Sequence, residues 1–326
     1  MPISAAFIEA HIARWEEELN RPQYPYRKKW PSRLFHHAPI ENAVKIIQGG
    51  NLRSRNDPEN NRAKDIAAAG VVQARGHAHD SARLYFRPRT PTQWHIEGIR
   101  KAGECKWEEA HAPVLVMMVF DARKVLCRPG IQFCDRNMQL GSAEPGDSED
   151  YFSKIPFEKV YHEGGTGGDK SITDHRCAEV LAVSPLPLNE TLQWIYCRTG
   201  AERDTLIHLL GPSCKAWFDY ILVSDDLLVF ERKFVFVEYV DLTGEGLVFK
   251  LRPRSDNGMV DFKSEVIDKA GNVVFSFESA AFSPRPPSTE RWITKGKLPK
   301  GRYFVRLWLE GHLAYQNYHQ IGDKLV

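Results

Sequence analysis

The sequence lacks an apolar run long enough to cross a membrane. Its longest such run, APVLVMMVF at residues 112–120, is less than half of the roughly 20 residues that a spanning helix needs. The first twenty residues contain four glutamates and no long apolar run, which is atypical of a signal or transit peptide. We therefore expect a cytosolic (cytoplasmic) protein with no membrane segment.

Cysteine is scarce, and its spacing is unlike that of a metal site or a disulfide framework. The 6 Cys among 326 residues form no C-x-x-C pair and have no histidine partners at ligand spacing, so we expect free buried thiols. The tripeptide HAH at 77–79 offers two imidazoles, but no second Cys/His cluster lies at a recognisable offset. We predict no metal site.

The net charge is only +2, but the charge is unevenly distributed. Residues 21–140 contain 21 Lys and Arg against 11 Asp and Glu, whereas GSAEPGDSED at 141–150 contains four acids. A basic region within a near-neutral chain favours a polyanionic ligand, either a nucleic acid or a phosphate-bearing cofactor. A solvated basic face would give the same composition.

Hydrophobic spacing predicts helices and strands in the first two thirds of the chain. Apolar residues at helical intervals behind Ser4 predict a helix over 4–19, and IENAVKIIQGG predicts another that ends at Gly50. Strands are predicted at RLYFRP, PVLVMMVF, HRCAEVLAV and LQWIYCR, and a helix at AERDTLIHLLG. The glycine-rich EGGTGGDKS has no phosphate-loop spacing and predicts a mobile loop.

After Pro212 the pattern changes to short alternating strands separated by turn sequences such as SDNG and LPKG. The predicted strands are YILVSDDLLVF, FVFVEYVDL, LVFKLRPR, MVDFKSEVID, NVVFSFES and RYFVRLWLEG. This pattern is typical of an all-β sandwich. We therefore predict two domains, over residues 1–212 and 213–326.

The stretch HRCAEVLAV at 175–183 raises a chemical question, because Glu179 stands at the entrance of an otherwise apolar strand. A lone acid at a strand start is usually a solvated edge residue, since burial of an unpaired carboxylate is costly. By itself the strand favours that interpretation.

Five segments in order, from residue 33 to about 211, resemble the DarT family, which are ADP-ribosyltransferase toxins that use NAD to modify bases in single-stranded DNA. The segments are LFHHAPIENAVKIIQGGNLRSRN, RLYFRPRTPTQW, PVLVMMVFDARKV, IQFCDRN and HRCAEVLAVSPLPL. The resemblance implies an α+β fold, an ADP-ribosyltransferase-like split β-sheet with flanking helices, in the domain at 1–212. The sandwich-like domain at 213–326 lies outside it.

The resemblance changes the interpretation of Glu179, which falls on the family's catalytic strand. The bond from ribose to nicotinamide breaks with oxocarbenium character, so a carboxylate there stabilises developing positive charge and holds a ribose hydroxyl. Arg75 resembles the family's loop arginine, which would stabilise charge on the attacking base. Arg55 or Arg62 could hold that position instead, and any loop arginine could simply be solvated.

The resemblance also implies residues that bind NAD. His36 matches a first-strand histidine that hydrogen-bonds NAD, and Tyr85 would stack on or cap nicotinamide. Asn42 and the backbone around Gly50 and Leu52 are expected to add contacts. The family usually has H-x-T-H where this chain has HHAP, so two polar positions are replaced here.

Single-stranded nucleic acid is expected to bind near Arg87, Arg89 and Trp94, which combine cations with an aromatic ring. The glycine-rich loop at 163–170 precedes Glu179 where this enzyme class has its substrate-recognition loop, so it could select the acceptor. Alternatively, Tyr85 could be a core aromatic residue on a strand, and the arginines could simply be solvated.

The resemblance thus implies a mono-ADP-ribosyltransferase that modifies a base of single-stranded DNA, with NAD as its substrate and no metal. It also implies a bacterial toxin–antitoxin or anti-phage setting with a neutralising protein partner. Two alternatives stay open: the same chemistry on RNA, and a binding module that has lost turnover and acts through the β-domain.

Overall fold

The computed structural model describes residues 3–64, 79–105, 110–284, 290–294 and 296–322. The chain divides into two compact units, each built from several stretches. The first contains Met1–His95, Val116–Tyr196 and Ser224–Phe230, and the second contains Ile96–Leu115, Cys197–Val223 and Glu231–Val326. Residues 197–212 therefore group with the C-terminal strands, and the domain boundary at 212 stays a prediction.

The first unit mixes helices and strands. Its helices are α1 (Ala5–Glu18), α2 (Ile40–Gly49), α3 (Pro91–Ile96), α4 (Ala122–Leu126), α5 (Glu149–Ser153), α6 (Phe157–Val160), α7 (Lys170–His175) and α8 (Leu188–Thr191), with a 3₁₀ turn at Arg27–Lys29. Its strands are β1 (Arg33–Pro39), β2 (Asn51–Leu52), β3 (Ser81–Tyr85), β4 (Leu115–Asp121), β5 (Gln132–Cys134), β6 (Glu179–Val183), β7 (Leu186–Pro187) and β8 (Leu192–Tyr196).

Six strands of this unit are hydrogen-bonded in the order β5-β6-β3-β1-β4-β8. Strand β3 is antiparallel to both of its neighbours, with Phe35 opposite Tyr85 and Tyr85 opposite Glu179. On the other side of β6, Cys134 is opposite Glu179. Because directly opposed residues share a face of a sheet, this register brings Tyr85 and Glu179 side by side.

The helix ends follow the capping signals of the sequence. Ser4 Oγ accepts a hydrogen bond from the Phe7 N–H at 3.3 Å, as expected of an N-cap. Helix α2 ends at Gly50, whose φ of 66° lies in the left-handed region that glycine adopts without strain. Both predicted helices are confirmed to within a residue or two.

The second unit contains an α-helix and two β-sheets. Its elements are α9 (Gly200–Leu210), 3₁₀ turns at Gly211–Ala216 and Phe218–Tyr220, β9 (Ile221–Leu222), β10 (Phe236–Thr243), β11 (Gly246–Arg252), β12 (Val260–Ile267), β13 (Val273–Phe282), β14 (Arg291–Thr294), β15 (Gly301–Leu309) and β16 (His312–Ile321). The sheets have the orders β10-β11-β14 and β13-β12-β15-β16. Phe249 of one stacks on Phe262 of the other, with ring centroids 4.8 Å apart, so the two apolar faces share a core.

The predicted fold class, an α+β unit followed by additional β-sheets, is confirmed. One predicted strand, YILVSDDLLVF, is wrong beyond Leu222, because Ser224–Phe230 contains no strand. There the Asp226 N–H donates to Ser224 Oγ at 3.1 Å and the Leu228 N–H donates to Asp225 O at 3.1 Å, so local turn bonds replace a strand ladder.

Two other features concern the chain as far as it is described. The six cysteines are free, and four of them are buried. Over the same residues, no helix combines the length and hydropathy needed to span a bilayer, and no cluster of three or more His, Cys, Asp and Glu has the arrangement of a metal site.

Candidate active site

The acid at the start of β6 is fully buried. Glu179 is 0% exposed, and its Oε2 accepts a hydrogen bond from the Met138 N–H at 3.0 Å. Its Oε1 lies 3.7 Å from Arg83 Nη1 and accepts no hydrogen bond from the described residues. Burial raises the pKa of Glu179, and the nearby Arg83 charge, the Met138 N–H and the Tyr85 side chain only partly oppose this. The solvated-edge interpretation is wrong.

Arg83 connects this acid to the first-strand histidine. Its guanidinium faces Glu179, while its carbonyl oxygen lies 2.9 Å from His36 Nδ1. A carbonyl only accepts hydrogen bonds, so Nδ1 must carry the proton, and Nε2 is left as an acceptor. Burial lowers the pKa of His36, which keeps the imidazole neutral. Sequence reasoning did not single out Arg83, although it lies two residues before Tyr85 on the same strand face.

A cavity of about 470 Å³ opens beside these residues. His36, Arg83 and Gln139 line it, whereas Glu179 lies behind Arg83 and does not line it. Among the described residues, the lining side chains that carry full charges are one acid, Glu59, and six bases: Lys45, Arg53, Arg55, Arg62, Lys64 and Arg83. Such a cation-rich concave site suits a ligand with a diphosphate group.

The other predicted NAD contacts lie at the same cavity or next to it. Asn42 lines it, but its side chain holds the neighbouring loop: Nδ2 donates to Lys64 O at 2.7 Å, and Oδ1 accepts from the N–H groups of Ala63 and Lys64. Leu52 is buried in the wall, while Gly50 donates to Ile47 O and accepts from the Leu188 N–H. Asn42 and Gly50 therefore shape the site.

Tyr85 packs within the sheet. It is 8% exposed and stacks on His37, with ring centroids 5.3 Å apart and planes 3° from parallel. Burial raises the pKa of Tyr85 far above its ordinary value, so the phenol stays neutral. The side chain lies beside Glu179 rather than on the cavity wall, and its predicted contact with nicotinamide remains a prediction.

Arg87 and Arg89 converge on one carboxylate. Arg87 Nη2 lies 3.1 Å and Arg89 Nη2 lies 2.8 Å from Glu163 Oε2, and Arg87 is only 2% exposed. Their guanidinium carbons lie 4.9 and 5.9 Å from the Trp30 ring centroid. Both guanidinium groups therefore contact Glu163 and Trp30 and do not form an open charged surface. Their predicted contact with nucleic acid stays a prediction.

Of the predicted nucleic-acid contacts, Trp94 is exposed, at 41%. Arg75 lies outside the described residues. Its alternatives Arg55 and Arg62 both line the cavity, on the loop that Asn42 holds.

The glycine-rich segment before β6 is anchored at its start. Arg176 Nε donates to His162 O at 3.1 Å, and its Nη2 donates to His162 Nδ1 and to Gly164 O, both at 2.6 Å. Since Arg87 and Arg89 hold Glu163, three arginines fix residues 162–164. This explains the position of Arg176 three residues before Glu179, which the sequence left unexplained.

Comparison with known families gives one match. The family model described as DarT, ssDNA thymidine ADP-ribosyltransferase, matches residues 35–217, which is more than half of the chain. A comparison with curated proteins found no match.

Several solved structures are similar to part of the chain. Thermus sp. 2.9 DarT in complex with ADP-ribosylated ssDNA has 17% identity and a TM-score of 0.48, over 60% of this chain and 96% of that one. The same protein in complex with NAD⁺ gives 17% identity and a TM-score of 0.45, over 60% and 97%. Thermosipho africanus DarTG in complex with ADP-ribose gives 14% and 0.43, over 64% of this chain and 52% of that one.

Proposed function

The chain belongs to the DarT family of ssDNA thymidine ADP-ribosyltransferases, and from that premise we propose that it transfers ADP-ribose from NAD to a thymine base of single-stranded DNA. The observation that carries the proposal is the group formed by Glu179, Arg83 and His36 beside a cation-rich cavity. It unites a buried acid, a neutral imidazole and a site for a diphosphate.

The reaction breaks the bond between ribose C1′ and nicotinamide and forms a bond from C1′ to a ring nitrogen of thymine. Nicotinamide leaves with the electron pair of the broken bond, and the thymine nitrogen loses its proton. Positive charge therefore develops on the ribose, and negative charge develops on the attacking base.

Glu179 supplies the negative charge that stabilises the oxocarbenium-like ribose, and its unpaired Oε1 is free to accept a hydrogen bond from a ribose hydroxyl. His36 accepts at Nε2 from a hydroxyl or amide of NAD, because Nδ1 is already used as a donor. The lysines and arginines of the cavity hold the diphosphate. A cation of the long loop, Arg75 or the cavity residues Arg55 and Arg62, stabilises the base as its proton leaves.

The experiment is incubation of the protein with NAD and labelled single-stranded DNA or RNA, followed by intact-mass measurement of the oligonucleotide. We expect one ADP-ribosyl group to be added to thymidine-containing DNA by the wild type and none by Glu179→Gln. Cooperative thermal unfolding of the variant serves as the folding control. Product from the variant at the wild-type rate, or from a DNA strand without thymidine, would refute the proposal.

We further propose that the activity is that of a toxin acting in the cytosol, held in check by a neutralising protein. Modification of a base in single-stranded DNA would block replication, so an uncontrolled enzyme would arrest growth. Induced expression of the wild type should stop growth of a bacterial host, and Glu179→Gln at equal protein level should not. Equal arrest by both would remove the link between toxicity and the reaction.

A further inference from the structure

One face of the four-stranded sheet in the second unit carries rings and cations together. Burial alternates along β15, so every second side chain points outward: Arg302, Phe304, Arg306 and Trp308. Tyr318 of β16 is paired opposite Phe304, and Lys263 of β12 is paired opposite Trp308. We call this set of six residues the β15 face.

The cations of the β15 face lie against its rings. Arg302 Cζ is 4.0 Å from the Tyr318 ring centroid, and Tyr318 lies 5.0 Å from Phe304. At the other end of the strand, Arg306 Cζ and Lys263 Nζ lie 5.0 and 5.1 Å from the Trp308 centroid. These planar groups form two platforms. The His208 ring of α9 lies 5.2 Å from Phe304 and 5.4 Å from Tyr318, and Tyr318 remains 47% exposed.

Positive charge on the β15 face is concentrated at the Arg302 end of the strand. Glu265 pairs with Lys263 at 3.0 Å and with Arg306 at 2.7 Å, so these two cations share a carboxylate and Arg302 does not. At the Arg302 end, a cavity of about 500 Å³ has no carboxylate among the lining residues that the structure describes, which include His208. The acids Asp261 and Glu278 line the cavity at the Trp308 end, so the positive potential is strongest near Arg302.

We propose that the β15 face binds single-stranded DNA, with bases stacked on its ring and guanidinium planes and phosphates held near Arg302. Single-stranded nucleic acids are bound by this combination of aromatic platforms and cations. The inference rests on the proposed function only in its choice of DNA over RNA.

The test measures fluorescence anisotropy of a labelled oligothymidylate with the full chain in the absence of NAD. The double variant Arg302→Ala/Trp308→Ala should bind about tenfold more weakly, because it removes one phosphate contact and one stacking platform. Its matched control is Arg252→Ala/Trp292→Ala, in the other sheet of the same unit, where both side chains are 52% exposed. That control should bind like the wild type.

The charge reversal Arg302→Glu provides a second measurement on an exposed residue, with thermal melting as the folding check. It should weaken binding and lessen the dependence of affinity on salt. Equal affinity of the two double variants, or tighter binding of an RNA oligonucleotide than of DNA, would overturn the inference.

The Glu179→Gln variant separates this inference from the proposed function. If the proposed reaction is absent, the contrast between the double variants still shows the DNA-binding face. If the β15 face does not bind DNA, the wild-type protein still modifies DNA, and the two double variants bind the oligonucleotide with equal affinity.

Discussion

Removal of the positive charge at Arg83 should change the pH dependence of the reaction. Arg83 Nη1 lies 3.7 Å from Glu179 Oε1 in a site where the acid is fully buried. Burial already raises the pKa of Glu179, and the Arg83 cation is the largest influence opposing that rise. In Arg83→Gln the carboxylate would lose this support and would need a higher pH to ionise.

The size of the shift follows from Coulomb's law. Two unit charges 3.7 Å apart interact by about 4 kcal/mol at an effective dielectric constant of ~20, which corresponds to roughly 3 pKa units as an upper limit. The Arg83 side chain is 18% exposed, so solvent screens part of this energy. We expect the acidic limb of the rate profile to move upward by about 1–2 units.

The assay is the initial rate of DNA modification against pH at saturating NAD, for wild type, Arg83→Gln and Arg83→Lys. Lysine keeps the charge and should keep the limb near its wild-type position. Lys45→Gln removes another cation of the cavity and should raise the KM for NAD without moving the limb.

The other groups near Glu179 are Tyr85 on β3, Cys134 on β5 and Cys177 just before β6, and burial keeps all three neutral over the assay range by raising each pKa. An acidic limb at the same pH in Arg83→Gln and wild type would refute the reasoning.

Three further outcomes are expected. Glu179→Gln should stabilise the chain relative to wild type. The stabilisation should grow as the pH rises from about 4.3, the ordinary pKa of a glutamate, toward the raised pKa of Glu179 in the folded state, because the unfolded chain loses that proton first. Denaturant unfolding from pH 4 to 8 measures the difference in the free energy of unfolding, and a difference that does not change with pH would contradict the prediction. His36→Ala should raise the KM for NAD by about tenfold through loss of one acceptor, with a smaller effect on kcat, as NAD titrations would show. Asn42→Ala should speed hydrogen exchange at the amides of 63–64, which lose their acceptor, while the exchange within α2 stays unchanged.

Local structure was largely predictable from the sequence. The capping residue Ser4 and the stop at Gly50 bound their helices as expected, because each signal acts within a few residues of its position. Strands β14 and β16 were not predicted, since the polar residues of HLAYQNYHQI obscure its alternation. The long pairing of β16 with β15 supplies the hydrogen bonds that local propensity does not indicate.

The site was only partly predictable, because its charges depend on partners far along the chain. The ion pairs of Arg87 and Arg89 with Glu163 were not predicted, because Glu163 lies more than 70 residues away in sequence. Arg83 was missed for the same reason: its meaning depends on the register of β3 against β6, which pairs residues nearly 100 positions apart. The sequence shows how many cationic side chains a segment has, whereas the acid that pairs with each of them is known only from the fold.

Under the proposed function, the burial of Glu179 has a catalytic use that opposes its cost in stability. A carboxylate that is fully buried, with one hydrogen bond from Met138 and a cation at 3.7 Å, destabilises the fold relative to a neutral side chain. The same incomplete pairing leaves Oε1 able to accept a hydroxyl and keeps the negative charge in a medium of low polarity, where its attraction to a developing cation is strongest. Full pairing of the acid with Arg83 would stabilise the chain and weaken that attraction. The gap between the two groups is therefore consistent with a site shaped for catalysis at the expense of stability.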